Sequence, residues 1–104
     1  MWTLQETGTT SERAVTFRVR PGSAKTIGRA VGADFILEAP LVSRVHCRVE
    51  ADHQRLEVVD LSSTNGTFVN GRRIERAQLK EGDRLRVGRV ELIVQSPPGD
   101  ANPS

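Results

Sequence analysis

Apolar and polar residues alternate with a period of two along most of this chain, and that alternation is the tightest constraint on its fold. Val15, Phe17 and Val19 interleave with Thr16, Arg18 and Arg20, and Val45, Cys47 and Val49 interleave with His46, Arg48 and Glu50. The same spacing recurs at Trp2 and Leu4, at Leu56 and Val58, at Leu85 and Val87, and at Val90, Leu92 and Val94. A period of two sends alternate side chains to opposite faces, which describes a half-buried strand. Turn formers interrupt the runs at short intervals: Pro21-Gly22, Gly28, Gly32, Pro40, Asn65-Gly66, Asn70-Gly71, Glu81-Gly82-Asp83 and Gly88-Arg89. The best helical stretch is Arg72 to Leu79, but Leu79 falls off the stripe shared by Ile74 and Ala77, so loop and short strand are expected there. A sheet with one apolar face must cover it with another sheet. The expected fold is therefore all-β, a sandwich or small barrel.

At 104 residues the chain holds one domain and one modest core. That domain is expected over residues 1–95. Residues 96–104 carry three of the five prolines and a single apolar side chain, so they are expected to form a flexible tail or the start of a linker. The longest apolar runs, Phe35 to Leu37 and Leu92 to Val94, are three residues each, against about 20 for a membrane-spanning helix. No basic stretch and apolar core open the chain, so no secretory signal is expected. The expected location is intracellular, cytoplasmic first and nuclear if the source is eukaryotic. Cys47 is the only cysteine and there are two histidines, a poor basis for a disulfide or a structural metal. Neither a metal nor a cofactor is expected. The net charge of +2 comes from basic residues spread through both halves, and only Trp2, Phe17, Phe35 and Phe68 are aromatic. Nucleic acid and membrane are accordingly not expected as partners.

Three polar segments stand at the ends of expected strands: Gly28-Arg29 with Gly32, then Leu41 to Cys47, then Asp60 to Thr67. They are rich in donors for an anion. Arg29 and Arg44 carry planar forks suited to phosphate oxygens, the hydroxyls of Ser43, Ser63 and Thr64 add neutral donors, and Asn65 adds an amide. Loops at one end of a sandwich cluster, which makes their convergence an expectation.

Gly28-Arg29, Ser43-Arg44-Val45-His46 and Ser63-Thr64-Asn65-Gly66-Thr67-Phe68-Val69-Asn70-Gly71, in this order and spacing, resemble the signature of the forkhead-associated (FHA) domain over roughly residues 2–95. The resemblance implies an eleven-stranded, antiparallel-type β-sandwich that binds phosphothreonine peptides through loops at one end. Such a ligand would be the product of a Ser/Thr kinase acting on a signalling partner. By motif position, Arg29 and Ser43 would hold the phosphate, Arg44 would assist, Thr64 would lie against the phosphothreonine, and Asn65 would bond the peptide backbone. Gly28, His46 and Gly66 would be scaffold, and Ser63 a possible additional contact. Strand alternation places His46 opposite Val45 and Cys47, free to hydrogen-bond into neighbouring loops. Asn70 is read as turn chemistry only.

Two rival readings remain. Ser43, His46 and Asp60 name the residue types of a hydrolytic triad, but no Gly-x-Ser-x-Gly elbow and no evident oxyanion hole accompany them. A non-enzyme is expected. Cys47 is read as a small core residue. The second rival is a structural interaction module of the FHA fold without phosphate dependence.

Overall fold

The computed structural model describes residues 1–7 and 14–96. Its eleven strands are β1 (Trp2–Glu6), β2 (Thr16–Val19), β3 (Ala24–Gly28), β4 (Phe35–Ile36), β5 (Cys47–Ala51), β6 (Leu56–Asp60), β7 (Thr67–Val69), β8 (Arg72–Ile74), β9 (Arg76–Leu79), β10 (Arg84–Val87) and β11 (Val90–Gln95). No helix occurs among the described residues, and so none long and apolar enough to cross a membrane. The strands form a six-stranded sheet in the order β2-β1-β11-β10-β7-β8 and a five-stranded sheet in the order β4-β3-β5-β6-β9. All strand pairs with a defined register are antiparallel except β3 with β4. The fold is an all-β sandwich, as the alternation requires.

The alternating apolar residues meet between the sheets. Leu4, Val19, Leu85, Val87, Leu92 and Val94 from one sheet and Ile27, Cys47, Val49, Leu56 and Val58 from the other have no exposed surface. Each Leu, Ile or Val buried this way is worth about 1.5–3 kcal/mol, gross of conformational entropy. Where the edge strands β2 and β4 face each other, Phe17 and Phe35 stack with ring centroids 4.6 Å apart. Asn70 (φ 52) and Gly71 (φ 84) both have positive φ. That is the two-residue turn read at this pair, and it lets β7 and β8 pair directly.

One stretch departs from the alternation. Val45 is 44% exposed whereas His46 is fully buried, the reverse of the stripe expected from Val45, Cys47 and Val49. β5 begins only at Cys47. Ser43 to His46 form a bent approach to the strand, and side-chain parity does not extend through a bend. The expected tail from residue 96 falls, beyond Ser96, outside the described residues. Ser96 itself donates a hydrogen bond from Oγ to Glu81 Oε1.

Candidate functional site

The site is built from three connections at one end of the sandwich: β3–β4, β4–β5 and β6–β7. Gly28 closes β3 so tightly against the β4–β5 segment that a Cβ there would run into the Arg44 carbonyl oxygen and come within 2.9 Å of Val45 Cα. With no side chain in the way, the backbones couple beyond the end of the strand. Arg29 N–H donates to Ser43 C=O (2.9 Å) and Ala30 N–H to Arg44 C=O (3.1 Å). Arg29 and Arg44 are therefore held as neighbours, both exposed, and they share one open cleft with Ser43, Thr64 and Asn65. The structure thus brings together all five residues expected to contact ligand.

His46 joins the second connection to the third. Ser43 N–H donates to its Nδ1 (3.0 Å), and Nε2 pairs with the Gly66 carbonyl (2.9 Å). An accepting Nδ1 carries no hydrogen, so the hydrogen sits on Nε2 and is donated to Gly66. Gly66 has φ +90 and is buried under the Arg73 guanidinium, whose Nε would lie 2.8 Å from any Cβ placed there. Two further bonds close the gap between the connections. Thr64 N–H donates to Ser43 Oγ (3.0 Å), and Asn65 Nδ2 donates to the Leu41 carbonyl (3.1 Å).

The third connection is folded onto Asp60 at the end of β6. Asp60 Oδ1 accepts from Ser63 Oγ (2.5 Å) and Thr67 Oγ1 (2.6 Å), Oδ2 accepts from Ser63 N–H (3.2 Å), and Ser63 Oγ accepts from Gly66 N–H (3.0 Å). Burial pushes the Asp60 carboxyl upward. The bonds from Ser63 and Thr67 outweigh it and hold the group below the usual carboxylate range. Ser63 is buried and its hydroxyl both donates and accepts within the loop, so it stands with the scaffold and not on the open cleft.

Cys47 is fully buried beside this cluster. Burial first, and the Asp60 charge second, push its thiol up to about 12 against an opposing bond from Thr67. The sulfur stays protonated and unreactive at neutral pH. The triad reading also fails on geometry: both His46 nitrogens are committed to backbone groups and Asp60 faces Ser63 and Thr67, so neither is arranged to take the proton of Ser43 Oγ. Among the described residues no group of His, Cys, Asp and Glu could hold a metal ion.

Two residues on the cleft carry signals the sequence hides. Leu41 (φ 72) and Ser62 (φ 57) are in the left-handed region, which costs a residue with a Cβ about 1–2 kcal/mol. Strain of this kind persists where surrounding bonds over-determine the backbone. At Leu41 those restraints are the Asn65 amide and the β10–β11 turn, where a Cβ on Gly88 would lie 2.9 Å from Val42 Cγ2 and 3.0 Å from the Pro40 carbonyl oxygen.

A two-sheet sandwich with Gly-Arg, Ser-Arg-x-His and Thr-Asn-Gly loops cross-bonded at one end defines a recognition domain of the forkhead-associated class. A sequence profile of the FHA domain matches residues 25–88, and the chain belongs to that family. It is similar to the FHA domain-containing protein FhaA of Mycobacterium tuberculosis (42% identical over 80 residues, 77% of this chain and 15% of FhaA). It is also similar to the glycogen accumulation regulator GarA of the same species (34% over 71 residues, 68% of this chain and 44% of GarA). The chain therefore spans well under two thirds of these relatives' lengths. Among solved structures it resembles the FhaA FHA domain complexed with the intracellular domain of Rv3910, at a TM-score of 0.80 and 38% identity over 91% of this chain and 100% of that one. An FHA domain from a study of phosphothreonine-dependent FHA domain interactions superposes at a TM-score of 0.82, with 38% identity over 93% and 97% of the two chains.

Proposed function

We propose that this domain binds a phosphothreonine-containing segment of a partner protein, made by a Ser/Thr kinase, and performs no chemistry on it. Arg29 and Ser43 take the phosphate, Arg44 assists, Thr64 lies against the phosphothreonine, and Asn65 holds the peptide backbone. The state of the Ser43 hydroxyl carries the reading. Its oxygen accepts from Thr64 N–H, which fixes its position and leaves its hydrogen to donate into the cleft that Arg29 and Arg44 flank. A phosphate brings a charge of about −1.5 to −2 and three acceptor oxygens, and fixed donors beside two guanidinia answer both. Asn65 is set the same way: Nδ2 is tied to Leu41, and Oδ1 has no partner among the described residues, so it can accept from a peptide N–H.

The test is calorimetric titration of a phosphothreonine peptide, its unphosphorylated twin and its phosphoserine analogue. The phosphothreonine form should bind, the unphosphorylated form should not, and phosphoserine should bind more weakly, by at most about ten to two hundredfold, since one methyl in a fitted pocket is worth about 1–3 kcal/mol. Arg29→Ala should cost about a hundredfold, because each charge-assisted hydrogen bond contributes about 1.5–3 kcal/mol and a forked guanidinium makes more than one. Equal affinity for the phosphorylated and unphosphorylated peptides would instead support an FHA-fold module that does not read phosphate.

A further inference from the structure

The outer faces of the two sheets differ in charge. On the five-stranded sheet, Arg48 and Arg76 are each answered: Arg48 Nε lies 2.7 Å from Glu50 Oε2, and Arg76 Nη1 lies 2.7 Å from Glu57 Oε1. On the six-stranded sheet, register puts Arg86, Phe68 and Arg73 side by side on β10, β7 and β8. The Arg86 guanidinium covers the Phe68 ring at 4.4 Å from its centroid, and the Arg73 guanidinium lies over Gly66. Among the described residues neither arginine has a carboxylate within bridging distance. Glu91, opposite Arg86 in register, is already engaged by Arg84 (2.9 Å) and the Thr7 hydroxyl (3.0 Å). Asp60 and Glu75 line one cleft with Arg73, but Asp60 accepts from Ser63 and Thr67 and neither carboxylate bridges Arg73.

We propose that the Arg73–Phe68–Arg86 row is a second docking surface, for an acidic segment of the same partner chain that carries the phosphothreonine. Arg73 rests on Gly66, the residue after Asn65, so the row continues from the peptide-holding loop onto the sheet. Two guanidinia that no described carboxylate bridges, fixed by an aromatic ring and a glycine, present pre-positioned forks to carboxylates. Charge complementarity selects the acidic segment as the occupant. A nucleic acid is disfavoured, because the one aromatic ring of the row is already covered by Arg86 and offers no stacking face. The proposal rests on the phosphothreonine reading for where the segment begins, and the experiment separates the two.

Two phosphothreonine peptides of the same core sequence, one flanked by glutamates and one by glutamines, are titrated into the full chain at low and high salt. The glutamate-flanked peptide should bind at least tenfold more tightly at low salt, and the advantage should shrink at high salt. The double variant Arg73→Gln/Arg86→Gln should lose that advantage while keeping its affinity for the glutamine-flanked peptide. Arg48→Gln/Arg76→Gln, with the same loss of charge on the opposite face, should keep it. A wild type that binds both peptides alike overturns the proposal, as does a control pair that loses the advantage equally. If the double variant fails to fold, Arg86→Gln alone should lose most of the advantage, and retention in that variant also overturns the surface. A hexaglutamate peptide followed by NMR separates the readings. Shifts confined to residues 66–74 and 84–87 with no phosphopeptide binding would retain the surface and remove the phosphothreonine site. Phosphopeptide binding without those shifts would do the opposite. Tighter binding of a single-stranded oligonucleotide than of hexaglutamate at the row would overturn the choice of a protein occupant.

Discussion

His46→Ala is the substitution that most directly tests how the site is held. The imidazole is fully buried and makes two bonds to backbone groups, one from Ser43 N–H and one to Gly66 C=O. Removing it strands both. A buried polar group left without a partner costs about 1–3 kcal/mol. Gly66 is buried, so its carbonyl belongs at the upper end, while half-buried Ser43 can recruit water and belongs at the lower end. Together the loss is about 3–4 kcal/mol before any cavity cost. That is a large share of the roughly 5–15 kcal/mol available to a domain, and at about 4–8 °C per kcal/mol the melting point should fall by more than about 10 °C. The same change releases Ser43 from Gly66, so affinity for a phosphothreonine peptide, measured at a temperature where the variant is folded, should fall at least tenfold. Ser43→Ala is the companion: it removes one exposed-side acceptor and the proposed phosphate donor, so affinity should fall while the melting point moves little. Differential scanning calorimetry and titration calorimetry on both variants give the answer. Coincident melting curves, or wild-type affinity in His46→Ala, would refute the bracing role.

The remaining predictions probe neighbouring parts of the same assembly. Asn65→Ala should abolish peptide binding with modest loss of stability, whereas Asn70→Ala should leave affinity intact and cost about 2–3 kcal/mol in chemical denaturation, since Asn70 adds bonds to Asp83 and Arg84 to its turn role; binding loss in Asn70→Ala would displace the peptide from the Ser63 to Gly66 loop. Asp60 has its pKa depressed in the folded state, so its contribution is present above the unfolded value near 4 and is lost as pH falls through the lower folded value. The stability gap between wild type and Asp60→Asn should therefore be widest at neutral pH and close in acid, and a gap independent of pH would contradict this. Gly88→Ala and Gly82→Ala both place a Cβ at positive φ, but only Gly88 meets neighbours, so melting points should drop in both and peptide affinity only in Gly88→Ala.

The elements that were legible in the sequence are those whose local chemistry settles their geometry. Phe17 and Val19, Leu56 and Val58, and Leu85 and Val87 alternate within paired strands, so period two reports burial directly. Asn70-Gly71 needs two consecutive positive φ values, and those two residues tolerate them best. Asn65-Gly66 looks identical in sequence yet differs: only Gly66 has positive φ, and the Asn65 amide is tied to the Leu41 carbonyl. Val45 and His46 depart from the alternation in burial for a related reason, although His46 bonds into the neighbouring loops as expected. Burial of His46 is dictated by partners at Ser43 and Gly66, the latter twenty residues away, and no local pattern encodes them. Ser63 likewise reads as a polar loop residue until Asp60 and Gly66 are seen to use its hydroxyl. Leucine gives no hint of a left-handed backbone, so Leu41 was invisible to the sequence.

These long-range ties explain why the β4–β5 connection, which contributes Ser43 and Arg44, is the centre of the site. It receives Arg29 and Ala30 N–H from the first connection, and Thr64 N–H and the Asn65 amide from the third, and it sends His46 beneath Gly66. Each of the three connections is thus fixed by atoms of another. Ordering a free loop costs about 1–2 kcal/mol per residue, and a cleft that had to order three such loops on binding would surrender most of what a phosphate contact supplies. Here that cost is met during folding, offset by the core and by bonds that persist without ligand, and the strain at Leu41 and Ser62 is carried by the same network. What remains for the ligand is the gain from its charge and acceptor oxygens. Affinity in this domain should accordingly track the integrity of the cross-loop bonds as closely as it tracks the residues that touch phosphate.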